Sequence, residues 1–171
     1  LSLSQLRSTT VTSRAVSSGL PSHYRYHHFS TAASGNGVAD DLNNPNTYTE
    51  QTFGVLSKMP QYAEMFSLQY MEAPLLLHSM LTEGKQSLAY RILKAADADP
   101  EMVAKKVTDH LKAQPKVSTQ TNNRVMGQST LDLLREASRL KREYGDQFIS
   151  LEHLLLAMNG DKAVQKVYTA A

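Results

Sequence analysis

Few residues of this chain could perform chemistry. His153 could act as a general base, but no serine or cysteine nucleophile motif accompanies it, so a buried or helix-capping role is favoured. Gly84-Lys85 lacks the preceding glycine and the spacing of a phosphate-binding loop, and no G-x-x-x-x-G-K-[ST] run occurs. The N-terminal segment contains His23, His27 and His28. We expect this segment to be disordered and removed, so we do not interpret the three histidines as a metal site. We therefore predict no catalytic, cofactor-binding or metal-binding residue, and no enzyme activity for this chain.

The helical elements that position these side chains occur twice in the sequence. Residues 70–80 (YMEAPLLLHSM) are echoed by residues 148–158 (FISLEHLLLAM), an offset of 78 positions. The echo continues upstream without a gap, and each copy has the pattern of a helix, a short turn and an apolar helix. Such self-similarity is typical of repeats that bury their apolar faces against each other. The groove between the two copies is thus the first place to look for function.

Composition limits the classes of partner. Residues 1–38 hold three arginines and no acid, whereas the remainder carries 15 basic and 16 acidic side chains. The nearly neutral remainder offers no concentrated basic face, so we expect no nucleic-acid partner. No apolar run approaches the ~20 residues of a membrane span, so we expect no membrane partner. The absence of cysteine excludes disulfides and thiolate metal sites.

The N-terminal segment has the composition of a targeting sequence. Residues 1–35 are rich in Ser and Thr, contain isolated arginines and lack the apolar core of a secretory signal, which indicates an organellar transit peptide. We predict the mitochondrial matrix, with the plastid stroma as the alternative. Residues 36–48 then form a linker. The chain starts at leucine and stops just after an amphipathic pattern, so we expect a fragment of a longer protein.

Helix signals divide the rest of the chain, residues 49–171. Thr49 is a good N-cap, and Pro60 should kink or split the helix that follows it. Further helices are predicted from near Glu72 to Leu81, from about Lys85 to Ala96, and from an Asp99 cap to about Ala113. No segment alternates for long enough to be a strand. The boundaries are residues 49–113 for repeat one, 114–129 for a connector and 130–171 for repeat two.

Two motifs carry a family resemblance. Residues 48–56 (YTEQTFGVL) and 144–157 (YGDQFISLEHLLLA) resemble the N-terminal repeat domain of Clp-type AAA+ chaperones, most closely the ClpB disaggregases. Residues 88–96 and the connector at 114–117 look like ClpB as well. The resemblance covers about residues 48–171 and implies an all-α fold of pseudo-twofold, duplicated four-helix repeats, preceded by the disordered transit peptide and linker.

The resemblance also implies which residues engage substrate. Thr49, Asp146 and Glu152 match family positions of that kind, although each has a structural interpretation: a helix cap, a turn residue and a first-turn acid that favours the helix dipole. Repeat one departs from the family pattern. Pro74 and Leu75 stand where a Glu-His pair is usual, and this puts in doubt any function that needs that pair.

By resemblance, the partners are unfolded or aggregated polypeptides and the AAA+ modules of the same parent chain. Those modules would bind ATP and Mg²⁺ and assemble a homo-hexamer, whereas this chain needs no cofactor. The alternative is an interaction module, either the adaptor-docking domain of a Clp protease ATPase or a stand-alone Clp-repeat regulator. Two further patterns favour plain interpretations: most of the methionines as core residues, and the basic residues of 135–142 as a solvated helix face.

Overall fold

Helical periodicity governs the fold of the described part of the chain, which in this computed structural model comprises Leu42, residues 44–117 and residues 124–171. The predicted transit peptide, residues 1–35, lies outside it. The elements are α1 (Glu50–Met65), β1 (Tyr70–Met71), α2 (Ala73–Leu81), α3 (Leu88–Ala95), α4 (Pro100–Ala113), β2 (Val125–Met126), α5 (Gln128–Tyr144), α6 (Leu151–Ala157) and α7 (Lys162–Thr169). The prediction of an all-α, duplicated fold is confirmed.

The helix starts follow side-chain caps. Thr49 and Asp99 accept hydrogen bonds from backbone N–H groups in the first turns of α1 and α4, as predicted. Helix α3 begins at Leu88 instead of near Lys85, because the Ser87 hydroxyl caps it by accepting from the N–H of Tyr90. Local hydrogen bonding therefore sets these boundaries.

Pro60 does not split α1, so that part of the prediction was wrong. The helix is continuous over 16 residues, and buried side chains on both sides of the proline hold it against one core. The Ser79 hydroxyl of α2 also donates to the carbonyl of Val55, 2.8 Å away, next to the Leu56 carbonyl that the proline leaves without its usual donor. Tertiary packing thus outweighs the local cost of the proline.

The core is built around α2. All nine of its residues are buried, and it packs against α1 and α4 of its own repeat and against α5 and α7 of the other. The apolar side chains of α6 lie in the same core, which explains why both copies of this helix are mostly apolar. No helix within the described ranges is long and apolar enough to cross a membrane. Most of the methionines lie in the core, as predicted: Met59, Met71, Met80, Met126 and Met158 are buried, whereas Met65 and Met102 are exposed.

Two short parallel pairings join the repeats, and the sequence did not predict them. Strands β1 and β2 pair Tyr70 with Val125 and Met71 with Met126, and an isolated bridge pairs Tyr48 with Ile149. Adding 78 to residues 48 and 71 yields 126 and 149, so the Tyr48–Ile149 and Met71–Met126 pairings are pseudo-twofold mates. In each, the segment before the first helix of one repeat pairs with the segment before the second helix of the other.

The hydrogen bonds repeat the symmetry. The N–H of Thr49 donates to the carbonyl of Ile149, and the N–H of Gly127 donates to the carbonyl of Met71, both at 3.0 Å. We call the first place the Thr49 junction (residues 47–49 with 146–153). The second is the Glu72 junction (residues 68–75 with 125–129).

Candidate functional site

Thr49 lies at the centre of the Thr49 junction, where the two repeats meet. Its Oγ1 accepts from the N–H of Thr52 at 3.3 Å and lies 2.8 Å from the Thr52 hydroxyl, while its own N–H donates to Ile149. The predicted capping role is confirmed. Thr49 itself is half-buried.

Asp146 is placed by the end of α5. Gly145 has the left-handed φ of 73° that closes the helix, and the N–H of Asp146 donates to the carbonyl of Lys141 at 3.0 Å. The bond from Asp146 to Lys141 is one of the two hydrogen bonds that typically close a glycine-terminated helix. The Asp146 side chain is 57% exposed and therefore available to a ligand.

His153 connects Asp146 to α6. Its Nδ1 accepts from the N–H of Ser150 at 3.0 Å, and its Nε2 lies 3.0 Å from Oδ2 of Asp146. Because a backbone N–H can only donate, the proton of a neutral ring lies on Nε2 and is donated to Asp146. Burial lowers the pKa of His153 below its usual 6.5, although the charges of Asp146 and Glu152 oppose that shift. His153 is the capping histidine that its sequence context predicts.

Glu152 lies in the first turn of α6, after the Ser150 cap, as predicted. Its carboxylate is favourable there because the exposed N–H groups make the start of a helix positive. The side chain is half-buried, and its charge acts on the neighbouring imidazole of His153. Glu152 thus has a structural role and remains partly accessible.

The structure brings all three predicted residues to one junction. Thr49 bonds to Ile149, the next residue caps the helix that carries Glu152, and His153 of the same turn holds Asp146. The residues that carry this hydroxyl and these two carboxylates therefore all belong to the place where two backbone segments pair. Such groups can hydrogen-bond an extended polypeptide, whose N–H and C=O groups are free.

The Glu72 junction has the same backbone and different chemistry. Gly127, the mate of Thr49, offers no side-chain cap to α5. The Glu72 carboxylate replaces that cap: its Oε2 accepts from both the N–H, at 3.0 Å, and the hydroxyl of Ser129. The Ser129 hydroxyl in turn accepts from the N–H of Ala73 at 2.9 Å. A Cβ on Gly127 would overlap the Glu72 carboxyl group, so this clasp requires glycine.

An inter-repeat cleft of about 570 Å³ opens beside the Glu72 junction. Leu68, Pro74 and Leu75 line it, and these are the 78-residue mates of Asp146, Glu152 and His153. Tyr70 contributes a ring that is 54% exposed. The remaining lining is mixed, with Lys116 and Gln114 committed to bonds with Leu111 and His110. The cleft can accept apolar side chains.

The sequence interpretation located the polar junction and missed the cleft, although it named the groove between copies. The 78-residue offset does contain a signal for the cleft. It shows that Pro74 and Leu75 of repeat one are apolar at the positions of the Glu-His pair of repeat two. Taken alone, that departure puts in doubt any function of repeat one that needs the Glu-His pair. The structure places these apolar residues together in one cleft instead.

A family model, the Clp repeat (R) N-terminal domain, matches residues 47–171. Chaperone protein ClpB 2 of Thermosynechococcus vestitus is 35% identical over 127 residues, which cover 74% of this chain. The mitochondrial chaperone protein ClpB3 of Oryza sativa subsp. japonica is 34% identical over 118 residues, which cover 69% of it. The matched regions make up only 14% and 12% of those two relatives.

Solved structures share the fold at low sequence identity. The Hsp104 N-terminal domain from Candida albicans superposes with a TM-score of 0.64 and 15% identity, covering 71% of this chain and 79% of that one. The N-terminal domain of the caseinolytic protease associated chaperone ClpD from Arabidopsis thaliana gives a TM-score of 0.54 and 15% identity, covering 73% and 89%. At these identities the likeness concerns the fold.

Proposed function

Because this chain belongs to the Clp repeat (R) N-terminal domain family, we propose that it is the substrate-engaging domain of a ClpB-type chaperone, which binds unfolded or aggregated polypeptide. The observation that carries the proposal is the convergence of Thr49, Asp146 and Glu152 at one junction between the repeats. An unfolded chain exposes unpaired backbone groups, and these three side chains can pair with them.

The cleft at the Glu72 junction supports the same proposal. An unfolded polypeptide also exposes apolar side chains, and an open, largely apolar cleft can remove them from water. The two junctions then have different roles. The Thr49 junction contacts the backbone of the unfolded polypeptide, and the cleft at the Glu72 junction binds its side chains. Removing the exposed ring with Tyr70→Ala should weaken binding of an unfolded protein severalfold, whereas the exposed control Met102→Ala should leave it unchanged.

The direct test is a double substitution at the Thr49 junction. Asp146→Ala with Glu152→Ala should weaken binding of reduced, carbamidomethylated ribonuclease A by roughly tenfold, because hydrogen bonds to charged groups are lost. Glu101→Ala with Asp132→Ala makes the same charge change on exposed residues elsewhere and should bind like the parent. Fluorescence anisotropy measures both. Equal binding by the two double variants would refute the site.

The parent protein is also part of the proposal. The family relation supports AAA+ modules that bind ATP and Mg²⁺, form a homo-hexamer and drive disaggregation, with this chain as the non-catalytic N-terminal domain. The arginine-containing leader and the rice relative named as mitochondrial support the mitochondrial matrix, with the plastid stroma as the alternative. Import of the full chain into isolated mitochondria and chloroplasts decides between the two compartments.

Adaptor docking is the competing function. The fold is shared with the N-terminal domain of ClpD, which is named a caseinolytic protease associated chaperone. Affinity capture from an organellar extract distinguishes the two functions. Recovery of many unfolded proteins agrees with substrate engagement, whereas stoichiometric recovery of one folded partner would favour an adaptor.

A further inference from the structure

His153 makes polar contacts through both ring nitrogens, whereas its repeat-one mate is an apolar residue. The mate, Leu75, is wholly buried and lines the cleft. His153 is buried to the same degree, yet it bonds Ser150 through one nitrogen and Asp146 through the other. The ring of Tyr144 stacks on it at a centroid distance of 5.9 Å. A leucine would fill this volume without the need to satisfy two polar atoms, so packing alone does not account for the imidazole.

The imidazole fixes the direction of the Asp146 carboxylate. The bond to Ser150 orients the ring, and the stacked Tyr144 restricts its rotation. Its Nε2–H then holds Oδ2 of Asp146, an otherwise exposed side chain in the turn after α5. A carboxylate has about four acceptor positions, so one bond to His153 leaves capacity for a ligand.

We propose that His153 is a positioning residue of the Thr49 junction, which aims the Asp146 carboxylate at a bound polypeptide. This inference rests on the proposed function. A side chain already held in one orientation loses less conformational freedom when a ligand binds. Removing that restraint should therefore weaken binding by roughly three- to tenfold even when Asp146 itself is unchanged.

Two substitutions separate positioning from structural support. In His153→Asn the amide oxygen takes the place of Nδ1, so the cap on Ser150 is kept while the bond to Asp146 is lost. In His153→Gln the amide nitrogen takes the place of Nε2, so the bond to Asp146 is kept while the cap is lost. A purely structural histidine predicts that stability and binding fall together, whereas a positioning histidine predicts that they separate.

The experiment measures unfolding by circular dichroism and binding of reduced, carbamidomethylated ribonuclease A by anisotropy, using the full chain. We expect His153→Asn to fold and bind roughly three- to tenfold more weakly, and His153→Gln to be less stable but to bind within about twofold of the parent. Parental binding by the Asn variant, or equal losses in two folded variants, would overturn the inference. If the Asn variant does not fold, the Gln variant decides alone, and weakened binding by folded protein overturns it.

The Asp146→Ala variant tells apart the two ways to fail. If positioning operates through Asp146, then adding His153→Asn to Asp146→Ala should cost no further affinity, and a further loss would overturn the inference. If Asp146→Ala itself binds like the parent, the proposed site is wrong. If Asp146→Ala binds weakly while His153→Asn binds normally, the site stands and only the positioning role fails.

Discussion

The Thr49 junction and the Glu72 junction share one backbone and differ in nearly every functional side chain. At the first, Thr49 caps its own helix and leaves the carboxylates of Asp146 and Glu152 accessible. At the second, glycine replaces the cap and the Glu72 carboxylate is consumed by bonds to Ser129. The pairing of backbone segments carries the pseudo-symmetry, so the side chains around it are free to diverge. One junction has become a polar surface and the other a clasp beside an apolar cleft.

The largest expected effect breaks the clasp. Gly127→Ala should lower the free energy of unfolding by about 2 kcal/mol, because the new Cβ displaces the Glu72 carboxylate from Ser129. Gly54→Ala, in open space within α1, is the matched control and should stabilise by up to about 1 kcal/mol. Urea unfolding measures both. In a Glu72→Ala background, Gly127→Ala should cost almost nothing, and an undiminished cost would contradict the clasp.

Acid should weaken the fold through one histidine of each repeat. Burial lowers the pKa of both His78 and His153 below 6.5, the value expected in the unfolded chain. The unfolded state therefore binds more protons as the pH falls below about 6.5, and stability is lost progressively as the pH passes through the folded-state pKa values. Urea unfolding at pH 7.5 and pH 5.5 tests this, and equal stability at both would contradict it.

A further substitution makes repeat one more like repeat two. His78 has the leucine Leu156 as its mate, and its buried Nε2 has no hydrogen-bond partner among the residues that the structure describes. His78→Leu should therefore stabilise the chain by about 1 kcal/mol at pH 7 and reduce the loss in acid. The substitution removes the edge contacts of the His78 ring with Tyr62 and Phe66, and the leucine replaces them by packing against the same two rings. Thermal unfolding measures the change, and a destabilised variant would show that these ring contacts outweigh the unpaired nitrogen.

The smallest effect concerns the ends of the equivalent helices α1 and α5. Ser67 has a left-handed φ of 54°, and its mate is Gly145 with a φ of 73°. Ser67→Gly should stabilise by about 0.5–1 kcal/mol, since glycine adopts this conformation without a steric cost. The reverse change, Gly145→Ser, should cost a similar amount. Opposite signs in thermal unfolding support the equivalence of the two helix ends, and equal signs would contradict it.

Sequence reasoning succeeded where the physics is local. The caps at Thr49 and Asp99 depend on backbone groups within three residues, and the 78-residue offset requires only a comparison of the chain with itself. It failed where distant segments meet. The bonds between Glu72 and Ser129 join residues 57 positions apart, and the short strands are too brief to show alternation. Pro60 is tolerated because α2 packs against α1 and supports it. A rule that considers only the residues next to a proline cannot predict this.

The position of the binding surface is tested most directly by amide chemical shifts of the ¹⁵N-labelled chain during titration with reduced, carbamidomethylated ribonuclease A. We predict saturable shifts at two separate places: around Thr49, Asp146 and Ser150 to His153, and around the cleft at Leu68 and Tyr70. Shifts confined to other surfaces, or none at saturating ligand, would contradict the proposal that the two junctions between the repeats hold unfolded polypeptide.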